Sequence, residues 1–181
     1  MRTRKIGTNN QRSVTFSWNV LAMNEIIRIT IKGESGYGHI NEAYQDKITI
    51  CKDSIRYEYK PMVVSKDNRM SSWSYKTSSP TFYQLFLDTG KAVEKIIDMD
   101  HDLRATDIGC TSIVITYSDK TKKMRDFFLP PNDFKQCFLI IKQMIPSCED
   151  TPQVIKTSVD EADRDLSQRR IPPEADGLRS H

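Results

Sequence analysis

Histidine is scarce in this 181-residue chain: His39, His101 and His181 are all there are, and none stands in a serine, cysteine and carboxylate setting that would activate a nucleophile. No HExxH run and no GxxxxGK[ST] phosphate cradle occurs. The chain therefore offers no motif for catalysis, and a non-enzyme is expected. Cysteine is equally thin, since Cys51, Cys110, Cys137 and Cys148 form no CxxC pair, so free thiols are expected in place of a zinc site or disulfides. Long apolar runs are missing too. No stretch of membrane-spanning length exists, and the basic opening MRTRKIGTNNQRSVTFSWNVLAMNEI is broken by Asn9, Asn10, Gln11, Arg12 and Asn19 where a secretion signal would be continuously apolar. The expectation is a cytoplasmic protein with no cofactor, no metal and no membrane partner. Nor does charge of one sign dominate: 27 basic against 24 acidic residues leave a net charge of +3, too small a surplus to indicate nucleic-acid binding by itself.

What is present is alternation. Glu25 to Lys32 (EIIRITIK), Lys47 to Lys52 (KITICK), Ile55 to Lys60 (IRYEYK) and Trp73 to Thr77 (WSYKT) each place apolar residues at every second position, the pattern of half-buried strands. A turn at Asp53-Ser54 makes the middle two a hairpin, with Ile48, Ile50, Ile55, Tyr57 and Tyr59 on its buried face. Three glycines, Gly33, Gly36 and Gly38, lie in a connection with no following helix to complete a phosphate site. Ser79-Pro80 reads as a helix opening, with a capping hydroxyl before a first-turn proline, and Phe82, Leu85, Phe86, Val93, Ile96 and Ile97 form the apolar stripe of a helix running to about Met99. Asp98, Asp100, His101 and Asp102 crowd its end, but the spacing fits no calcium loop and reads as a solvated helix terminus.

The segment around which the fold is organised is Ser112 to Ile145. Ile113, Ile115 and Tyr117 form one strand, Asp119-Lys120 a turn, and Met124 to Leu129 a second strand. Pro130-Pro131 stops it, Asn132 or Asp133 can cap a helix, and Phe134, Cys137, Phe138, Ile141 and Ile145 recur at helical spacing.

Together these elements predict a single α+β domain over residues 23–155: an antiparallel sheet of about six strands with two helices on one face. Residues 1–22 read as a basic extension and 156–181 as a polar, disordered tail. The other sheet face should be wet. Following the alternation outward, it collects Arg28, Lys32, Arg56, Lys60, Lys76, Lys123 and Arg125 against one acid, Glu58. Such a face can attract phosphates or an acidic protein surface. Equally, cations on a sheet keep it in solution and discourage edge pairing.

The segment from Thr116 to Ile155, including TYSDKTKK and FLPPNDFKQCFLIIKQMIPSCEDTPQVI, resembles the C-terminal part of small proteins carried by phages and mobile elements of gut bacteria, among them anti-CRISPR inhibitors of type II effector nucleases. The resemblance implies a stoichiometric inhibitor that binds the nuclease with its guide RNA and prevents target DNA from being engaged or cut. A slightly basic chain does not fit duplex mimicry, so occlusion of a protein groove or joint contact with protein and nucleic acid is expected. The alternative is a nucleic-acid-binding accessory protein of a mobile element that contacts DNA or RNA through the basic face.

Overall fold

A computed structural model describes residues 24–36, 39–66, 68–99, 109–128 and 132–156. The basic extension, nearly all of the polar tail and the Asp100, His101 and Asp102 cluster lie outside the described residues.

Alternating sequence becomes strand wherever β-branched residues can present one side to a common core. Six strands result among the described residues: β1 (Ile26–Glu34), β2 (Tyr44–Cys51), β3 (Ser54–Pro61), β4 (Ser71–Lys76), β5 (Cys110–Tyr117) and β6 (Lys122–Phe127). They form one antiparallel sheet in the order β4-β3-β2-β1-β5-β6, with β4 and β6 at its edges. In cross-strand register, Ile31, Ile48, Tyr57 and Trp73 make one row and Ile29, Ile50, Ile55 and Tyr75 the next, while Ile113 and Ile115 extend both rows onto β5. The isoleucines of these rows are fully buried. Burial of several such side chains, each contributing about 1.5–3 kcal/mol, is the main force holding the layers together.

Helix α1 (Pro80–Asp98) buries Phe82, Phe86, Thr89, Val93 and Ile96, one stripe at helical spacing. Pro80 opens it, as the sequence predicts, but the Ser79 side chain makes no capping hydrogen bond; the Ser79 carbonyl instead accepts from the Tyr83 N–H at 3.2 Å. Gly90 sits inside this helix where a Cβ would come within 2.9 Å of Ile26 Cδ1, so the missing side chain lets α1 lie close to β1. Helix α2 (Asn132–Lys142) packs against α1 and adds Phe134, Cys137, Phe138 and Ile141 to the same core. A short 3-10 turn, Gln153–Ile155, lies over β1 and β2 and buries Ile155 completely. The α+β architecture is thus as expected, with all described helical elements contributing to one core on one side of the sheet.

Candidate functional site: the open face of the sheet

Because side chains alternate across a strand, the register that buries the isoleucine rows fixes which residues face away from the helices. Across β4, β3, β2, β1, β5 and β6, one outward row reads Ser74, Arg56, Thr49, Thr30, Val114 and Met124, and its neighbour reads Ser72, Glu58, Lys47, Lys32, Ser112 and Asp126. Lys60, Gln45, Glu34 and Cys110 lie beyond the second row, while Lys76, Ser54, Cys51, Thr116 and Lys122 lie beyond the first, with Arg28 opposite Thr116.

Five of the seven basic residues expected on this face are there: Arg28, Lys32, Arg56, Lys60 and Lys76. Lys123 and Arg125 are not. They stand opposite the buried Ile115 and Ile113, which puts them on the helix side. The cause is non-local. Lys123 Nζ pairs with Asp98 at 3.4 Å, and Arg125 donates through Nη1 to the carbonyl of Ile97 at 2.9 Å and to that of Met99, closing the C-terminal end of α1. The guanidinium also lies 5.5 Å from the Phe127 ring centroid. Two cations that sequence alternation did not assign to this face, Lys47 and Lys122, replace them, and Glu34 and Asp126 join Glu58 as acids. The face remains basic, with a smaller excess than the sequence pattern implies.

Its charges fall into two groups. Glu58 is a hub: it pairs with Lys47 and, at 2.7 Å, with Arg56, and the Lys47 ammonium together with the Arg56 charge holds its carboxyl below the usual range despite some desolvation. Lys76 is 3.9 Å from Asp53. Arg28, Lys32, Lys60 and Lys122, by contrast, have no side-chain ion pair or hydrogen bond among the described residues. Lys32 stands directly across from Lys47, a like-charge pairing that costs stability unless an anion lies between or nearby. Glu58 serves Lys47 and leaves Lys32 free.

A hollow of about 540 Å³ opens on this face, lined among others by Lys32, Lys47, Arg56, Lys60, Met70 and Ser72. Among the described strand residues the aromatic rings belong to the other side, although Tyr59 reaches the lining of the hollow. Tyr57, Tyr59, Trp73, Tyr75, Tyr117 and Phe127 all alternate to the helix side. The surface mixes paired and unpaired cations and three carboxylates with serine and threonine hydroxyls, and its cations and hydroxyls can donate to phosphate oxygens.

The remaining reactive groups lie elsewhere. Burial pushes the Cys137 thiol up to about 12 and leaves it a small apolar core residue. The Tyr117 hydroxyl donates to Glu94 Oε1 at 2.6 Å on the helix side, and burial with that carboxylate raises its pKa. Among the described residues, no three His, Cys, Asp or Glu side chains are grouped to hold a metal ion, and no helix is long and apolar enough to cross a membrane. Sequence reasoning overlooked Asp46, a carboxylate in phase with Ile48 and Ile50 on the helix side. Its signal was the alternation Asp46, Ile48, Ile50 itself, had β2 been extended one residue further back. No protein-family model matches this chain, and no curated protein matches it.

Proposed function

We propose that this chain is a non-enzymatic binding protein that meets a phosphate-bearing or acidic partner with the open face of its sheet. The observation that carries the reading is the set of four cations, Arg28, Lys32, Lys60 and Lys122, that have no ion pair among the described residues and lie on a face that the described helices leave uncovered. On and beside this face Glu58 pairs with Lys47 and Arg56, and Asp53 lies near Lys76, so these two acids do not serve the four cations. Combined with the resemblance of Thr116 to Ile155, this favours a cytoplasmic anti-CRISPR inhibitor that binds a type II effector nuclease loaded with guide RNA and blocks cleavage without imitating DNA. The second reading, a nucleic-acid-binding accessory protein of a mobile element, is favoured by the hydroxyl-rich surface between the cations, which suits backbone contact without base reading.

The test uses purified guide-loaded type II effector nuclease and, separately, duplex DNA. Wild-type protein should bind the nuclease and suppress cleavage in stoichiometric amounts, and Arg28→Glu, Lys32→Glu and Lys60→Glu combined should abolish this with folding intact. Uninhibited cleavage would discard the inhibitor reading. Binding to duplex DNA through about four phosphate contacts would then show a log–log salt slope of roughly −3 to −4, and salt-independent or absent binding would discard the basic face as well.

A further inference from the structure

On the helix side of β1 and β2, the carboxyl group of Asp46 is 3% exposed and holds the C-terminal turn. Its Oδ2 accepts the Val154 N–H at 2.9 Å, across a sequence separation of 108 residues, while Oδ1 is buried without a hydrogen-bond partner among the described residues. Gly33 stands directly opposite Asp46 in the β1–β2 register, and a Cβ there would come within 2.5 Å of Oδ1 and 2.8 Å of Val154 Cβ. The notch left by Gly33 is therefore what allows the turn to seat over the carboxyl. Ile155, fully buried, anchors the turn from its other end. The turn Gln153–Ile155 contacts both β1 and β2.

We propose that Gln153–Ile155 is a proton-linked latch: it closes over a protonated Asp46 and is loosened when that carboxyl ionises. The chemistry follows from what closure does to the group. A seated turn removes water from the carboxylate and gives it one hydrogen bond in exchange, donated by the Val154 N–H, so the closed state favours the neutral form. Burial is the largest influence and raises the Asp46 pKa from 3.8 to about 6, outweighing the Val154 N–H hydrogen bond and the nearby Tyr57 hydroxyl and Gln153 backbone, which favour the anion. The other charged or titratable groups facing it are Tyr59 on β3 and Lys156 at the end of the turn; β1 presents Gly33, which has none.

Lifting the turn readmits water and returns the carboxyl towards its ordinary range. Proton binding is then tighter in the closed state, so closure is favoured below about pH 4 and weakens as pH rises through 6. The latch lies directly before residues 157–181, a polar stretch that includes the acidic run Asp160, Glu161, Asp163 and Asp165. Opening releases the anchor point of that stretch from the sheet.

Amide hydrogen exchange on the full-length protein tests the latch at Val154, Ile155 and Lys156, whose N–H groups are bonded to Asp46 Oδ2, the Pro152 carbonyl and the Gln153 carbonyl. After correction for intrinsic exchange, the opening equilibrium at these three amides should rise by about twenty- to thirtyfold between pH 4.5 and 7.5, with core strand amides unaffected. In Asp46→Asn, which keeps an acceptor for Val154 but carries no charge, the dependence should vanish. Should that variant not fold, the wild-type carboxyl can be followed by its own NMR titration: it should titrate near 6, and Ile155→Ala, which loosens the latch from its other end, should bring it down. Exchange that is flat with pH in the wild type, exchange that rises on acidification, or a titration unmoved by Ile155→Ala would each overturn the proposal.

Discussion

Replacing Arg125 with leucine separates the two classes of basic residue that look alike in sequence. Arg125 is half-buried beside the end of α1, where the carbonyls of Ile97 and Met99 take hydrogen bonds from its guanidinium. A hydrogen bond to a charged group contributes about 1.5–3 kcal/mol, a cation over a ring face about 0.5–1 kcal/mol in a partly exposed setting, and a cation at a helix C-terminus about 0.3–1 kcal/mol. These terms overlap, and leucine recovers part of the packing against Phe127. The expected net loss is about 2 kcal/mol, a fall of roughly 5–10 °C in Tm for a domain of this size. Arg28→Leu, on the open face without a partner, should stay within about 0.5 kcal/mol of wild type. Urea unfolding followed by circular dichroism measures both, with an unchanged m-value showing that the same surface is exposed. If Arg125→Leu were neutral, or Arg28→Leu equally costly, the assignment of these residues to opposite faces would be wrong.

Two further outcomes are expected. Gly33→Ala should destabilise the domain by about 1–3 kcal/mol, since its methyl group overlaps Asp46 Oδ1 and Val154, and the exchange protection of Val154 should drop more than that of β5. A thiol reagent at neutral pH should label Cys148, which is exposed, within minutes, and Cys137, buried with its thiol pushed up to about 12, only on unfolding; rapid labelling of Cys137 in native protein would contradict the packing of α2.

Most of the architecture was legible because it rests on local signals. Period-two runs of isoleucine marked β1, β2 and β5, the alternation of Ile55, Tyr57 and Tyr59 marked β3, a proline after serine marked the start of α1, and the Phe134 to Ile141 stripe marked α2. The phase of β6 was not legible. In KKMRDF the apolar Met124 suggests an inward residue, yet Met124 is 62% exposed while Arg125 and Phe127 turn inward. What reverses the strand is the end of α1, some 26 residues earlier, whose carbonyls and Asp98 reward cations at alternate positions. Strand order was hidden for the same kind of reason, because β1 chooses β5 as its second neighbour over a long separation that no local pattern records. The basic residues of the open face were read correctly on β1, β3 and β4, although on β1 an irregularity between Ile26 and Arg28 leaves Ile27, expected inward with Ile29 and Ile31, exposed and turns Ile26 to the core. On β2 the reading was incomplete, because Lys47 looked like a strand end and proves to be in phase with Thr49.

The central position of β1 gives the sheet a seam. Residues 26–76 form a four-stranded meander in which every pairing joins neighbours in the chain, and residues 110–127 form a separate hairpin. The two are joined edge to edge only by β1 against β5, where Ile29 meets Ile115. Closing a loop of roughly eighty residues carries a larger entropic penalty than any of the hairpin turns. The contact that unites the halves is therefore the least favourable to nucleate, and the isoleucines facing each other across it supply much of what makes it worth forming.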